Sequence, residues 1–365
     1  MTMQRRDFLR AAGAAAGAAV LPGCATMGGG SAGKVVVVGG GYAGATCAKY
    51  LRMWSNGAVD VTLIEPREAF VSCPISNLVI GGSKTIADVT VPYDNLSRRW
   101  GVNVVRDTAT GIDVGKRVVT TAGGRSLPYD RLVLAPGIEF MWDAIASYKA
   151  DPVRATGIVP HAWQAGEQTV LLRRQLESMP DGGVYALSIP VAPYRCPPGP
   201  YERACQVAWY FKRAKPKSKV LVLDGNPDVT SKAGLFKKAW NDLYKGIVEY
   251  RPNHVLTDVD LATKTAKFET ADDVRASVLN VIPPHRAGGI ARTAGVITAN
   301  NRWCEVDFLS YESIRGKGVH VLGDSIQIAP GMPKSGHMAN QHAKVCAAAI
   351  VALLAGQAPN PTPVL

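Results

Sequence analysis

"KVVVVGGGYAGATCAKYLRMW", residues Lys34–Trp54, decides the fold of this chain. Four consecutive valines, Val35–Val38, read as a strand buried on both faces, the pattern of a parallel sheet covered by helices. Gly39, Gly41 and Gly44 follow as G-x-G-x-x-G, and an alanine-rich helix pattern follows them. The glycines allow a tight turn and close backbone approach, and the helix N-terminus faces a pyrophosphate. "VDVTLIEP", residues 59–66, predicts a second strand ending on Glu65, about twenty residues after the loop, where a carboxylate accepts from a ribose hydroxyl. Strand, loop, helix, strand and acid together predict a dinucleotide-binding α/β unit with Gly39, Gly41, Gly44 and Glu65 as its contacts.

Two later segments extend this unit. "YDRLVLAPGIEF" (Tyr129–Phe140) is an acid, a short apolar strand and a turn at Pro136-Gly137, and resembles the second motif of flavoproteins with two dinucleotide folds. "KGVHVLGDSIQ" (Lys317–Gln327) resembles their late Gly-Asp motif, in which an aspartate, here Asp324, holds the flavin ribityl chain. The likeness implies FAD in the first unit. It also implies a discontinuous FAD domain, 33–150 and 284–357, with a second Rossmann-like domain, 151–283, inserted. The expected fold class is α/β, glutathione reductase-like.

The second unit departs from the first at its loop. "VYALSI" predicts a strand, a helix pattern starts near Tyr201, and "KVLVLDG" predicts a strand ending at Asp224. Between strand and helix lies "PVAPYRCPPGP", with Cys196 among Pro190, Pro193, Pro197, Pro198 and Pro200 where glycines would be needed. Proline has no N–H to offer a phosphate and stiffens the turn, so NADH and NADPH are disfavoured as reductants. Cys196 precedes a helix N-terminus and neighbours Arg195, both of which favour thiolate.

Composition bounds the remaining choices. The 365 residues are 47% hydrophobic and 19% charged, ordinary globular values that allow two cored domains. The net charge of +12 favours an acidic protein partner, an anionic substrate or anionic lipid. No Lys/Arg run interleaved with aromatics argues for nucleic acid. "RRDFLR" at Arg5–Arg10, a short alanine-rich apolar run and small residues predict a twin-arginine signal over residues 1–30. That run falls short of the roughly 20 residues of a membrane span. Export of a folded protein implies a redox cofactor already bound, in a periplasmic setting. "LPGC" at Leu21–Cys24 resembles a lipoprotein box and would anchor the protein at Cys24.

"TLIEPREAFVSCPISNLVIGG", "VAPYRCPPGPYERACQVA", "VIPPHRAGGIA", "RWCEVD" and "MPKSGHMANQHAKVCAAAIVALL" resemble the flavoprotein subunit of flavocytochrome c sulfide dehydrogenase, over about Lys34–Gly356. The resemblance implies periplasmic oxidation of sulfide to sulfur at FAD, with a c-type cytochrome subunit as electron acceptor. It implies a thioether from Cys73 to the flavin 8α-methyl, a bond that an electron-poor ring makes plausible. It implies that Cys196 belongs to a redox-active disulfide that hydrosulfide attacks, releasing a thiolate that passes two electrons to the flavin. It places Lys334, beside the N-terminus of a helix starting near Ser335, at the flavin N1/O2 edge, where both would stabilise negative charge.

The partner of Cys196 is open. A helix carries Cys205 about 13 Å away, beyond the roughly 7 Å between bridged Cα atoms. The resemblance puts the partner in a segment beyond the last helix, whereas the chain ends in the proline-rich "GQAPNPTPVL" (358–365 as linker), read as truncated before a C-terminal domain; Cys304 is the in-chain substitute. Cys47 and Cys346 read as helix-packing residues, and His337 and His342 as surface or packing residues. No metal-ligand spacing occurs, and without C-x-x-C-H the chain carries no c-type haem itself. Two other readings stand beside this one: a sulfide:quinone oxidoreductase-type enzyme, and a non-catalytic flavin-binding paralogue.

Overall fold

The computed structural model describes residues 32–363. The twin-arginine segment and Cys24 lie outside the described residues. β1 (Gly33–Val38), β2 (Val59–Ile64), β3 (Asn103–Val105) and β4 (Arg131–Leu134) begin one sheet; β5 (Val184–Ile189), β6 (Lys219–Asp224), β7 (Val248–Arg251) and β8 (Val278–Val281) make another; β9 (Val319–Val321) returns to the first. The first sheet is ordered β9-β4-β1-β2-β3 and the second β7-β6-β5-β8, and every neighbouring pair is parallel. The fold is therefore α/β with two Rossmann-like sheets. The first is completed only by residues that follow the second.

The valine run does what its composition dictates. Val35, Val36, Val37 and Val38 are all buried, and each stabilises the fold by about 1.5–3 kcal/mol relative to exposure. Helix α1 (Tyr42–Trp54) leaves the glycine loop, α2 (Gly199–Ala214) leaves the proline loop, and α3 (Gly336–Leu354) follows β9. α1 and α3 pack together through small residues, Ala43, Cys47 and Ala48 on one and Ala339, Ala343, Cys346 and Ala347 on the other. Close approach of two helices over one sheet follows from these side chains, and it brings Gly41 and Gly336, at the two helix starts, to one cavity wall. The antiparallel pair Ile138–Phe140 and His285–Ala287 joins the two sheets' connecting segments beside that cavity.

Candidate functional site

A cavity of about 510 Å³ lies at the carboxyl ends of the first sheet's strands, where open α/β sheets bind ligands. Gly39 has φ +98°, and a Cβ there would sit 2.4 Å from the Ala135 carbonyl oxygen; one on Gly44 would sit 1.8 Å from the Gly39 carbonyl. Only glycine fits either position. A Cβ on Gly41 would meet nothing within 4 Å, so the start of α1 faces open space. Glu65 is buried at the end of β2 and lines the cavity. Its Oε2 accepts from the Gly40 amide at 2.8 Å and its Oε1 from Arg67 Nε at 2.8 Å. Those interactions outweigh burial and hold its pKa below the usual carboxylate value. Arg67, on the same wall, went unread in the sequence although it stands two residues past the acid.

Pro136, Gly137 and Asp324 line the opposite wall. Gly137 takes φ +68°, and its carbonyl accepts from the Ser325 hydroxyl and the Gly288 amide, which fastens the two flavin-type motifs to each other. Asp324 is half-buried in the cavity wall, burial raises its pKa, and its enclosed Oδ1 has no hydrogen-bond partner. An orphaned carboxylate oxygen in a cavity wall calls for a ligand hydroxyl. The glycine cradle, the open helix start and this orphaned oxygen together fit a flavin dinucleotide.

Two thiols share the cavity, Cys73 and Cys196. Cys73 starts the turn before Asn77, and its Sγ donates to Trp163 O at 3.1 Å. A terminal nitrogen of Arg195 donates to the same carbonyl. Cys196 takes φ +58°; its amide donates to Lys334 O at 2.6 Å, while the Arg195 amide donates to His285 Nδ1 at 3.0 Å. The Cys196 sulfur packs on Gly199, where an added Cβ would lie 2.9 Å from it. A second cavity, about 490 Å³, meets the first at Cys196 and is lined also by Glu202, His337 and Lys344. Burial raises the Glu202 pKa.

The structure corrects three expectations. Cys196 is not held as thiolate by its surroundings: burial, then Cys73 and Glu202, push its thiol up to about 12, and Arg195 opposes this more weakly because its guanidinium is turned to Trp163 O and Cys73. Lys334 does not line the cavity. Its ammonium donates to Asp324 O and Ile326 O, at 2.9 and 2.5 Å, and lies 3.5 Å from the Trp303 ring centroid. Burial pulls it down to about 7. Carbonyls and an indole face draw the side chain inward, so Lys334 braces the Asp324 turn from behind. Cys304 is no partner for Cys196: it is fully buried in the first sheet's core, and all six cysteines among the described residues are free. Cys47 and Cys346 are also buried there, and His342 stacks on Tyr311 at 4.8 Å.

Around the second sheet several polar groups of a nucleotide site are occupied by the chain itself. Three amides of the loop after β5 are engaged: that of Ala192 donates to Asn226 Oδ1 at 2.9 Å, that of Arg195 to His285 Nδ1 and that of Cys196 to Lys334 O. Asp224, closing β6, accepts from Tyr201 Oη at 2.7 Å, from Tyr250 Oη at 3.0 Å and from Asn226. Among the described residues no group of three His, Cys, Asp or Glu could hold a metal ion, and no helix is long and apolar enough to cross a membrane.

The family profile described as sulfide dehydrogenase (flavocytochrome c) flavoprotein chain, central, matches residues 169–283, and that of pyridine nucleotide-disulphide oxidoreductase matches residues 33–146. The profile of the twin-arginine translocation signal matches residues 2–22, which directs the protein to the periplasm. Mitochondrial sulfide:quinone oxidoreductase of Dictyostelium discoideum is 25% identical over 301 residues, 80% of this chain and 65% of that relative's length. The crystal structure of sulfide:quinone oxidoreductase from Aquifex aeolicus matches with a TM-score of 0.74 at 20% identity, covering 88% of this chain and 77% of that one, a likeness of fold. The sulfide dehydrogenase (flavocytochrome c) flavoprotein chain of Chlorobaculum thiosulfatiphilum is 59% identical over 46 residues, 13% of this chain and 94% of that sequence. With its central profile and this relative both matched, the chain belongs to the sulfide dehydrogenase (flavocytochrome c) flavoprotein family.

Proposed function

We propose that this protein binds FAD in the first cavity, covalently through Cys73, and oxidises sulfide at Cys196, with a c-type cytochrome as electron acceptor. The observation that carries the reading is the meeting of Cys196 with both cavities: one of its sides fits the flavin, the other opens on a chamber that Glu202, His337 and Lys344 also line and that is large enough for a sulfur substrate. Bound FAD would supply acceptance of an electron pair and its delivery as single electrons.

The chain's own residues divide the remaining work. When hydrosulfide adds its sulfur to the Cys196 thiol, a persulfide forms and one proton and two electrons leave. Glu202, in the same chamber and with its pKa raised by burial, is placed to take the proton. Gly39, Gly41 and Gly44 admit the pyrophosphate, Glu65 and Asp324 accept from ribose and ribityl hydroxyls, and Pro136-Gly137 shapes the wall between them. Lys334 keeps the Asp324 turn in place. The engaged amides of the proline loop and the tyrosine-bound Asp224 support the exclusion of NADH and NADPH from the second sheet.

The sulfide:quinone oxidoreductase relative supports a second reading, in which a quinone takes the electrons. Anaerobic mixing with sulfide, followed by reoxidation with cytochrome c or with a soluble quinone, tests both. Flavin bleaching by sulfide with rapid reoxidation by cytochrome c supports the first reading; reoxidation by quinone alone selects the second; absence of bleaching overturns both.

A further inference from the structure

Arg203, near the start of α2, is completely buried. Its guanidinium is held by neutral acceptors only. Nε donates to Asn77 Oδ1 at 3.0 Å, one terminal nitrogen to His161 O at 3.0 Å and Asn280 Oδ1 at 2.9 Å, and the other to Ala162 O at 2.6 Å. Among the described residues it makes no ion pair. Burying a guanidinium without a carboxylate costs several kcal/mol, and apolar residues of similar size fill space without that cost. Burial lowers its pKa, but a guanidinium keeps its proton in proteins, so the charge stands at every working pH.

The charge lies behind both cavity sulfurs. Arg203 Cζ is 4.9 Å from the Trp163 ring centroid. The same indole packs on Gly199, where an added Cβ would meet Trp163 at 2.8 Å and Cys196 Sγ at 2.9 Å, while the Trp163 carbonyl holds Cys73 Sγ. Cys73 and Cys196 are both within reach of the Arg203 charge, although Arg195 is the cation that acts most on Cys196. The other charged or titratable groups facing Cys196 are Cys73, Glu202, Arg195 and Asp324, with His285 bonded to the Arg195 amide and His337 and Lys344 across the second cavity. We propose that Arg203 is a positioning residue for sulfur chemistry, whose fixed and uncompensated positive charge stabilises negative charge on the sulfur carried by Cys196. This rests on the reading of Cys196 as the sulfide-reactive residue.

The test is the pH profile of Cys196 alkylation by iodoacetamide in the flavin-loaded protein, measured on the Cys196 peptide by mass spectrometry. Wild type is compared with Arg203→Lys, Arg203→Met and Asn77→Asp. Arg203→Met should slow alkylation about tenfold or more at each pH below the plateau, the equivalent of one unit of sulfur ionisation. Arg203→Lys should restore most of the rate. Asn77→Asp keeps the guanidinium but gives it a carboxylate, and should slow the reaction as Arg203→Met does. A folded Arg203→Met with the wild-type profile overturns the proposal. So does equal slowing in Arg203→Lys, which would assign the effect to hydrogen bonds. Where Arg203→Met fails to fold, an unchanged profile in Asn77→Asp overturns it. No sulfide is present in the assay, so its outcome is separate from that of the sulfide-bleaching experiment.

Discussion

Cys73 Sγ lies 3.6 Å from a terminal nitrogen of Arg195, the residue that immediately precedes Cys196. One guanidinium thus links the turn carrying the first thiol to the loop carrying the second, although 122 positions separate Cys73 from Arg195. If Cys73 carries the flavin, FAD should stay with the wild-type protein through acid precipitation and be released from Cys73→Ala. Yellow colour left in the wild-type supernatant would show that no such bond forms.

NADH and NADPH should leave the flavin absorbance unchanged under anaerobic conditions. A dinucleotide in the second sheet needs an acid that accepts from ribose, and Asp224 already accepts from Tyr201, Tyr250 and Asn226. Removing one donor, as in Tyr201→Phe, should cost about 1–3 kcal/mol, because a buried carboxylate loses a partner. Bleaching by NADH in wild type would mean that this cluster opens to nucleotide.

Acid should destabilise the fold through its buried histidines. Burial, with Arg203 and Arg195 nearby, lowers the His161 pKa to about 3, and burial lowers that of His285 well below its usual value. Both accept through Nδ1 from backbone amides, His161 from Trp163 and His285 from Arg195, so both are neutral in the fold. The unfolded chain takes up protons as pH falls below about 6.5, whereas the fold does not until pH nears the lowered values. The stability these residues contribute is complete above about pH 6.5 and declines below it by about 1.4 kcal/mol per pH unit for each, until pH reaches the lowered values. Asp224 and Glu202, whose pKa values burial raises, act in the opposite direction. Urea midpoints of wild type and His161→Asn at about pH 7.5 and pH 5 isolate the histidine share. The variant should lose less stability between the two; an equal loss would rule out the effect.

Local pattern carried the first sheet into view, because a run of valines, three spaced glycines and an acid each answer to their own neighbours in sequence. Gly39, Gly44 and Glu65 are legible for that reason, and so is Asp324 at the end of β9. Side-chain direction is another matter. Lys334 neighbours a helix start, and sequence distance alone aims it at the cavity; the carbonyls of Asp324 and Ile326 and the ring of Trp303 decide otherwise. Arg195 likewise stands next to Cys196 in the chain while its charge is spent on Trp163 and Cys73. Arg203 was invisible as an unpaired charge, since its neutral partners Asn77, His161, Ala162 and Asn280 come from three other parts of the chain.

Cys196→Ser should retain flavin and fold but lose most sulfide oxidation. The loop geometry does not depend on the sulfur: the Cys196 amide is held by Lys334 O, and its carbonyl accepts from the Gly199 amide at 2.8 Å, both of which serine preserves. The cost in stability should stay within about 1 kcal/mol, since a sulfur packed on Gly199 is replaced by a smaller oxygen without a backbone change. What serine removes is the capacity to form a sulfur–sulfur bond. Sulfide-dependent bleaching of the flavin should therefore fall by at least about a hundredfold if that bond lies on the main route, equivalent to roughly 2.7 kcal/mol of barrier. The flavin spectrum and the thermal midpoint serve as controls for the fold. A Cys196→Ser protein that bleaches at the wild-type rate would move the chemistry away from the proline loop, and with Cys73 committed to the flavin it would leave the cavity without a reactive thiol.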